Sequence, residues 1–295
     1  MLLLIPIPLG SFNPQRFRSK LLQFLMKNNM DTTTMKILFW NLKNNSNEKW
    51  IEDIIDENNV DIALFAEYKG ISFENMLANL NCYEHHDGYG ACEKVTLLCK
   101  TTIEVKIKRE QNRYTLYSCV CEGVSYNLAG IHLPAPPASD SNDRKIVIRN
   151  IVHDIEEQEN KEKNRKTIVI GDFNCNPFDE EVIQKDAFNA VLFKDLINKK
   201  EIIRYNEREW RRFYNPIIHY LSEETNTYGS LYYSSGSAPL YWNSFDQILV
   251  RKELTDHICS LEYLKSTNGK KLMKDVKPND SISDHLPLLV EITKG

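Results

Sequence analysis

A carboxylate and an amide follow a short apolar run near the middle of the chain, in Gly171-Asp172-Phe173-Asn174. The β-branched and apolar residues 167–170 predict a strand that is buried on both faces. Asp172 and Asn174 are two residues apart, so in an extended segment their side chains point to the same side. Such a pair can hold a phosphate, a water molecule or a hard cation. A strand that ends in an ordinary Asp/Asn turn explains the same four residues, so this segment alone leaves both interpretations open.

Five further segments place polar side chains at or just beyond the ends of predicted strands. They are Trp40-Asn41, Glu67, His132, Phe245-Asp246 and Ser283-Asp284-His285-Leu286-Pro287. Taken singly, an Asn or Glu at a strand end usually caps the chain or faces water, and a single His is more often structural than catalytic. Six such segments in this order and with these residue types are much harder to explain as unrelated strand ends.

Hydrophobic periodicity supplies the elements that would position these residues. Residues 35–42 and 60–67 predict two buried strands, and residues 49–57 between them carry apolar side chains at helical spacing. This order predicts adjacent parallel strands that carry Asn41 and Glu67 at their C-terminal ends. Further along the chain, the patterns predict strands over residues 94–100, 103–108, 113–121, 124–131, 241–251 and 257–264, and helices over residues 71–80 and 143–158.

The composition is that of an ordinary globular protein, with 42% hydrophobic and 26% charged residues in a chain of 295. The 37 Lys and Arg against 41 Asp and Glu give a net charge of -4. No overall basic field therefore indicates nucleic-acid binding, although a local basic groove is compatible with this charge. The seven cysteines form no CxxC pair, which predicts reduced thiols in a cytoplasmic protein, with neither a zinc site nor a disulfide framework.

The first 34 residues are predicted to lie outside the folded domain. Residues 1–9 are apolar but broken by prolines, too short to span a bilayer and poor as a signal peptide. We expect one folded domain over residues 35–295, with residues 1–34 disordered, loosely docked or upstream of the true start. A membrane-associating leader is the less favoured alternative. Residues 188–236 are less regular and are interpreted as an insertion within the domain.

Together the six segments resemble the endonuclease/exonuclease/phosphatase superfamily of metal-dependent, DNase I-like phosphoesterases. The resemblance covers residues 35–292, and its most specific parts are Gly-Asp-Phe-Asn at 171–174 and Ser-Asp-His at 283–285. It implies an α/β fold, a four-layer α/β/β/α sandwich in which two mixed sheets pack face to face with helices outside. The site is then expected at one end of the sandwich, between the two sheets.

The resemblance also implies a metal centre. Phosphodiester cleavage requires an activated water molecule, neutralised charge on the phosphoryl oxygens and a stabilised leaving oxygen. Mg²⁺ or Mn²⁺ is the expected cofactor, because such hard cations take oxygen ligands and need only one or two carboxylates. Glu67 and Asn41 are the expected ligands, and Asp284 could serve a metal in some states.

The remaining motif positions would carry the reaction itself. By resemblance, Asp172 orients or deprotonates the attacking water, and Asn174 hydrogen-bonds the scissile phosphate. Asp246 fixes the tautomer of His285, which acts as a base or contacts the phosphate. His132 approaches the leaving group as an acid or a phosphate ligand. On this basis we expect His285→Ala to abolish turnover and to leave the fold intact.

His132 narrows the position of the chain within the superfamily. Abasic-site endonucleases of the exonuclease III type carry Tyr at this position, whereas His matches the secreted DNase, sphingomyelinase, deadenylase and tyrosyl-DNA phosphodiesterase branches. Inositol polyphosphate phosphatases carry Cys-Asp-Arg where this chain has Phe245-Asp246-Gln247. The carboxylate that would partner His132 is not identifiable from the sequence, and Glu93 is a weak candidate.

The insertion contains the one clue to the substrate. Basic and aromatic residues alternate there, at Arg204, Tyr205, Arg208, Trp210, Arg211, Arg212, Phe213 and Tyr214. Such a segment could bind phosphates and stack bases. The alternative is an amphipathic helix whose aromatic side chains pack on the domain.

The sequence therefore predicts a metal-dependent hydrolase of phosphodiesters, and a nuclease acting on DNA or RNA is the preferred interpretation. A phosphatase or phosphodiesterase for a small-molecule or lipid phosphate uses the same chemistry and is the first alternative. A catalytically inactive binding module is the third hypothesis, and the intact set of candidate residues argues against it. The expected partner is a nucleic acid substrate, and we predict a monomer with no protein partner and no membrane association.

Overall fold

The computed structural model describes residues 34–135, 141–224, 228–233 and 241–294. The predicted leader lies outside this part of the chain, apart from Thr34. Within the described ranges, no helix is both long enough and apolar enough to cross a lipid bilayer.

The strands and helices that the periodicity predicts are present, together with shorter elements that it does not predict, such as the strand Tyr83–His86. The strands are β1 (Thr34–Asn41), β2 (Ile62–Ala66), β3 (Tyr83–His86), β4 (Val95–Lys100), β5 (Glu104–Gln111), β6 (Tyr114–Cys121), β7 (Val124–His132), β8 (Thr167–Asp172), β9 (Ala190–Val191), β10 (Ile202–Tyr205), β11 (Arg208–Arg211), β12 (Phe213–Tyr214), β13 (Leu231–Tyr232), β14 (Trp242–Asn243), β15 (Asp246–Val250), β16 (Ile258–Tyr263), β17 (Ser266–Thr267), β18 (Lys270–Lys271), β19 (Met273–Lys274), β20 (Lys277–Pro278) and β21 (Leu288–Thr293). The α-helices are α1 (Glu48–Asn58), α2 (Phe73–Asn79), α3 (Ser141–Glu162), α4 (Glu180–Ile183) and α5 (Lys194–Lys199), and short 3₁₀ helices cover Ile217–His219 and Lys252–Leu254.

Two large mixed sheets form the centre of the fold. The first has the strand order β16-β21-β1-β2-β4-β3, and the second has the order β5-β6-β7-β8-β15-β12-β9. β1 and β2 are parallel neighbours, as the strand–helix–strand pattern predicts, and β7 and β8 form a second parallel pair. In both pairs a helix connects the strands, which is the usual crossover between parallel neighbours.

The two sheets pack face to face. The residues of β8 are apolar on both sides because each face of this strand packs in a hydrophobic core. Ile168 and Ile170 lie in the core shared with the first sheet, whereas Val169 packs on the outer side with Ile151 of α3. On the first sheet, α1 packs its isoleucines against the strands that it connects. The layers are therefore helix, sheet, sheet and helix, and the predicted four-layer α/β sandwich is confirmed.

The Arg- and aromatic-rich part of the insertion is a β-hairpin, β10–β11, so the alternative interpretation as an amphipathic helix is wrong. β-branched and aromatic residues at its pairing positions favour a strand over a helix. The hairpin leads into β12, which pairs with Val250, and Val250 pairs with Ile168. Asp172 lies four residues further along β8, about 13 Å away along the strand. The hairpin thus lies towards the end of the sheet opposite Asp172, which removes the geometric support for its proposed contact with a substrate there.

Candidate active site

The second sheet brings three predicted site residues into register on neighbouring strands. His132, the last residue of β7, is paired with Asp172, the last residue of β8. Asp172 is paired on its other side with Asp246, the first residue of β15. Because β15 runs antiparallel to β8, its start lies at the same edge of the sheet as the ends of β7 and β8. Strand register therefore unites residues that are far apart in the sequence.

The first sheet adds Asn41 and Glu67 to this edge. Asn41 ends β1, and Glu67 directly follows the parallel neighbour β2. The amide nitrogen of Asn41 donates to Oε1 of Glu67 at 3.3 Å and to Oδ2 of Asp172 at 3.0 Å. Its Oδ1 accepts the backbone N–H of Lys43 at 3.0 Å. Asn41 thus joins carboxylates from both sheets, at the position where the sequence places the site.

The imidazole of His132 faces the same two carboxylates. Its Nε2 lies 3.7 Å from Oε1 of Glu67 and 3.7 Å from Oδ2 of Asp172. Its Nδ1 is buried and has no hydrogen-bond partner within the described ranges. The side chain of Glu93 is 72% exposed and pairs with Lys69, so the structure does not bring this candidate to His132.

Two site residues have left-handed backbone conformations, Glu67 with φ 48° and Asn174 with φ 49°. Asn adopts this region readily, whereas a Glu there is uncommon and is held by a hydrogen bond from the N–H of Asn44 to its carbonyl at 2.6 Å. The turn at Asn174 directs its N–H to Oδ1 of Asp172 at 2.9 Å, and its amide nitrogen donates to the carbonyl of Leu133. Both oxygens of Asp172 therefore accept a hydrogen bond, which fixes the orientation of the carboxylate.

Asp246 and His285 form a buried ion pair beside Asp172. Nδ1 of His285 lies 2.7 Å from Oδ2 of Asp246, whose side chain is fully buried. Burial disfavours the charged imidazole, but the Asp246 carboxylate outweighs this and raises the pKa of His285 to about 10. An oxygen of each of Asp172 and Asp246 and an imidazole nitrogen of His285 lie within 4.8 Å of one another. The ion pair and the Asn41–Glu67–Asp172 group are therefore parts of one site.

Hydrogen bonds from three residues that had no predicted role hold this pair in place. Ser283 donates its hydroxyl to the carbonyl at the end of β1 at 2.7 Å and accepts the N–H of His285 at 3.1 Å. The indole N–H of Trp40 donates to the carbonyl of His285 at 2.9 Å, and the N–H of Asp246 donates to the hydroxyl of Ser230 at 3.1 Å. Ser283 and Trp40 lie inside the motifs and could have been found there. Ser230 lies in the irregular insertion, where nothing in the sequence pointed to it.

Asp284 has a partner at the margin of the carboxylate cluster. Its Oδ2 lies 3.2 Å from Nζ of Lys43, which also pairs with Asp280 at 3.4 Å. The other seven predicted site residues are linked by the contacts above. The role of Asp284 as a metal ligand stays a prediction, and its ion pair with Lys43 would compete with that role.

Comparison with known proteins identifies the group to which this fold and site belong. The model of the endonuclease/exonuclease/phosphatase family matches residues 38–285, a range that includes all eight predicted site residues. The chain belongs to this family. Members of the endonuclease/exonuclease/phosphatase family hydrolyse phosphoric esters, so the predicted enzyme class, a phosphoester hydrolase, is confirmed.

Solved structures share this fold over most of the chain. Truncated Caenorhabditis elegans TDP2 is 12% identical, with a TM-score of 0.60 over 90% of this chain and 100% of that chain. D. rerio TDP2 complexed with single strand DNA product is 12% identical, with a TM-score of 0.52 over 89% and 100%. A mannosyl-6-phosphatase of Bacteroides thetaiotaomicron is 13% identical, with a TM-score of 0.55 over 87% and 98%. No curated protein matches the sequence significantly. At such low identities these likenesses show the fold.

The donor set fits a divalent cation of the kind that this family uses. Glu67 and Asn41 offer carboxylate and amide oxygens, the ligands that Mg²⁺ and Mn²⁺ prefer. The Glu67 side chain is 36% exposed, which leaves an open side for water and substrate. Asp172 and Asp246 add negative charge within the site, and Oδ1 of Asp246 is buried without a hydrogen-bond partner in the described ranges. The His285 imidazolium alone does not balance these carboxylates, so the electrostatics also favour a bound cation.

Gly171 is required for the close approach of β7 and β8, and we expect Gly171→Ala to be strongly destabilising. A Cβ at this position would lie 2.0 Å from the backbone oxygen of Ile131, which cannot move without displacing β7. The expected loss is about 3 kcal/mol of unfolding free energy or more, measured by urea denaturation. Gly123→Ala is the control, because its Cβ meets nothing within 4 Å and costs only its left-handed φ of 81°, about 1 kcal/mol. Equal losses in the two variants would contradict the steric argument.

Proposed function

We propose that the protein is a metal-dependent phosphodiester hydrolase and that it acts as a nuclease on DNA or RNA. The observation that carries the proposal is the convergence of Glu67, Asn41, His132 and Asp172 beside the Asp246–His285 pair. Seven candidate residues from both sheets meet at one end of the sandwich, and their carboxylate, amide and imidazole groups lie within 4 Å of a neighbour in the set. This set contains a group for each requirement of water attack on phosphorus.

Asp172 is the proposed group that orients and deprotonates the attacking water. Its carboxylate is buried, and hydrogen bonds from Asn41 and Asn174 fix both oxygens. A fixed carboxylate can take up the proton of a water molecule as that water attacks phosphorus. The P–O bond to the leaving group then breaks, and the leaving oxygen takes up a proton.

The two histidines are the proposed contacts to the phosphate. Nδ1 of His285 is committed to Asp246, so Nε2 is the nitrogen left to donate to a phosphoryl oxygen. Nε2 of His132 is too far from Glu67 and Asp172 for a hydrogen bond, which leaves it available to the leaving oxygen. A divalent cation held by Glu67 and Asn41 would neutralise charge on the phosphoryl oxygens and stabilise the leaving oxygen.

A patch of aromatic side chains beside the site supports a nucleic acid substrate. Leu231 forms a β-bridge with His285, so the β13–β14 hairpin lies next to the ion pair. This aromatic patch consists of Tyr228, Tyr232, Tyr241 and Trp242, with ring centroids 5.4 to 6.0 Å apart between neighbours. Tyr241 is 67% exposed and stacks on Tyr232 at an interplanar angle of 16°. Exposed rings next to a phosphate site can stack the bases of a single strand, and D. rerio TDP2 holds a single strand DNA product on the same fold.

A phosphatase or phosphodiesterase for small or lipid phosphates is the second candidate. The mannosyl-6-phosphatase with this fold favours it, as does the absence of any overall positive charge on the chain. A panel of labelled single- and double-stranded DNA, RNA, nucleotides, inositol phosphates and sugar phosphates separates the two candidates. Turnover of nucleic acids supports the nuclease proposal. Turnover of small phosphates alone, with none of nucleic acids, overturns it.

Tyr241→Ala tests the link between the aromatic patch and the substrate. We expect a rise in KM for oligonucleotides of about 5-fold or more, because base stacking on an aromatic ring contributes about 1–3 kcal/mol. Hydrolysis of a small chromogenic phosphodiester should not change. Tyr89→Ala is the control, because Tyr89 is 85% exposed and belongs to a different loop. An unchanged KM for oligonucleotides would remove the patch from the substrate site.

Chelation and Glu67→Gln test the metal requirement. EDTA is expected to abolish activity, and either Mg²⁺ or Mn²⁺ should restore it. Glu67→Gln keeps the size of the side chain but removes its charge, so the Mg²⁺ concentration for half-maximal activity should rise at least about 10-fold. Glu93→Gln removes an exposed carboxylate that pairs with Lys69 and should leave this concentration unchanged. Activity that survives EDTA would overturn metal dependence, and Asp284→Asn measured in parallel decides whether that residue shares the metal.

A further inference from the structure

A second group of metal-ligating side chains lies on the edge strand of the first sheet. Glu84 and His86 are two residues apart on β3 and share a face, and Glu84 is paired with Cys99 on the neighbouring β4. Nε2 of His86 lies 3.1 Å from Oε1 of Glu84 and 3.5 Å from Sγ of Cys99. A carboxylate oxygen, an imidazole nitrogen and a thiol sulfur therefore lie within 4.8 Å of one another.

We propose that Glu84, His86 and Cys99 form a Zn²⁺ site. Zn²⁺ binds sulfur at about 2.3 Å and nitrogen or oxygen at about 2.0–2.2 Å in tetrahedral geometry, which places ligand atoms about 3.3–3.6 Å apart. The distances of 3.1 and 3.5 Å around His86 agree with this spacing to within a few tenths of an ångström. A mixed sulfur, nitrogen and oxygen set favours Zn²⁺ over Mg²⁺, and three protein ligands leave a fourth position for water.

Burial and charge at this Zn²⁺ site suit a metal that enters from solvent. Cys99 is fully buried, whereas the side chains of His86 and Glu84 are 21% and 46% exposed, so the group has a closed side and an open side. In the part of the chain that the structure describes, Glu84 forms its ion pair with His86 and with no Lys or Arg. Zn²⁺ binds the thiolate form of cysteine, so metal binding at Cys99 would release the thiol proton to solvent.

Another group of potential metal ligands lies on α3, but its acidic side chains are already paired with an arginine. His153, Asp154 and Glu157 also bring three ligand atoms together. There Arg109 pairs with both Asp154 and Glu157, so a guanidinium already supplies the positive charge that the acids require. Among the described residues, no Lys or Arg pairs with the group of Glu84, His86 and Cys99, and this group contains the sulfur ligand that Zn²⁺ favours. We therefore assign the metal to the β3–β4 edge and not to α3.

Strand register explains why the sequence predicted no zinc site. All seven cysteines lie in the described ranges and none forms a disulfide, as expected. Zinc sites are recognised in sequences by closely spaced ligands, such as CxxC. Here two ligands come from one strand and the third from its antiparallel neighbour, so only the pairing of β3 with β4 unites them. A metal at this position would tie the edge strand β3 to the sheet.

Cobalt titration of the purified full-length protein tests the site. Co²⁺ is added to metal-free, reduced protein in excess Mg²⁺, which occupies hard oxygen sites but does not compete for a thiolate. We expect one equivalent of Co²⁺ to bind with a thiolate-to-cobalt charge-transfer band in the near ultraviolet, and Zn²⁺ to displace it. Zn²⁺ should also raise the Tm of the protein by several degrees. No charge-transfer band, or no displacement by Zn²⁺, overturns the proposal.

Single substitutions test whether Cys99 and Glu84 bind the metal. Cys99→Ala is expected to remove the charge-transfer band, and Cys92→Ala is the matched control, because Cys92 is also buried but belongs to no metal-ligating group within the described ranges. The side chain of Glu84 is half-exposed, so Glu84→Gln should fold and tests the site even if Cys99→Ala does not. It should keep the band and weaken Co²⁺ binding at least about 10-fold. A band that survives Cys99→Ala, or an affinity unchanged by Glu84→Gln, would contradict the assignment.

Discussion

Replacement of His285 by alanine is expected to abolish turnover and also to destabilise the fold. The sequence alone suggested that the fold would stay intact, because removing a paired histidine at a strand end was expected to cost activity far more than stability. The full burial of Asp246 changes this expectation, since the variant leaves its carboxylate without its ionic partner. Breaking one side of a buried ion pair costs about 3–5 kcal/mol. Urea denaturation and steady-state kinetics of the same preparation measure the two losses.

A double variant separates the catalytic loss from the structural one. Asp246→Asn with His285→Gln replaces the ion pair by two neutral amides that can hydrogen-bond to each other. We expect it to recover at least half of the stability lost in His285→Ala, because no buried charge is left unpaired. Activity should stay at the background level, because neither amide can supply the positive charge of the imidazolium. Recovery of activity together with stability would show that the pair serves the fold alone.

A surface histidine provides the control for this comparison. His153 lies on α3, away from the site, and its side chain is exposed. His153→Ala should change neither turnover nor unfolding free energy by a measurable amount, because exposed substitutions rarely exceed about 0.5 kcal/mol. A loss of activity in this control would indicate a general effect of removing histidines from the protein.

The positions of the site residues could be predicted because each marks the end of a strand. Apolar runs predict where β1, β2 and β8 stop, and the polar residue that follows each run is visible in the sequence. Once the strands are parallel neighbours, Asn41 and Glu67 must lie at the same edge. The pairing of β7, β8 and β15 places His132, Asp172 and Asp246 side by side in the same way. Local pattern therefore contains most of the information about this site.

The residues that escaped prediction depend on contacts between distant segments. Ser230 supports Asp246 through a single hydroxyl in a segment without periodicity. Glu84, His86 and Cys99 become a group only through strand register. The hairpin β10–β11 was not predicted, because alternating basic and aromatic residues fit a helix face and a strand almost equally well over so few residues. The Arg208 guanidinium lies over the Trp210 ring and pairs with Glu156, so these two side chains already have partners within the protein.

Replacement of Asp172 by asparagine is expected to lower kcat by about 10²–10⁴-fold, the range typical of a lost general base. Asparagine has the same shape as aspartate, so the strand register around it should persist. Its amide can still accept the N–H of Asn174, but it cannot take a proton from water. The measurement is kcat at saturating Mg²⁺ and substrate, with the oligonucleotide or phosphoester that the substrate panel selects.

The stability of Asp172→Asn should differ little from that of the parent protein. A large loss of kcat without a loss of stability would identify a catalytic role for Asp172 and not a structural one. The new amide disturbs the hydrogen bond from Asn41, which costs about 1 kcal/mol. The substitution also removes one of two carboxylates whose oxygens lie within 4.8 Å of each other, which relieves repulsion with Asp246. These two effects oppose each other, so the midpoint of urea denaturation should stay close to that of the parent.

Asp154→Asn is the control, and it should lower stability without lowering kcat. Asp154 is buried like Asp172, but its carboxylate accepts hydrogen bonds from Arg109 and Tyr114 on the outer side of the second sheet. Its neutralisation weakens a structural ion pair and should lower the unfolding free energy by about 1–3 kcal/mol while leaving kcat unchanged. If Asp172→Asn keeps more than about a tenth of the parent kcat, its loss is smaller than the roughly 10²-fold minimum that is typical of a general base. Another group must then activate the water. His132, whose Nε2 faces both Asp172 and Glu67, would then be the first residue to test.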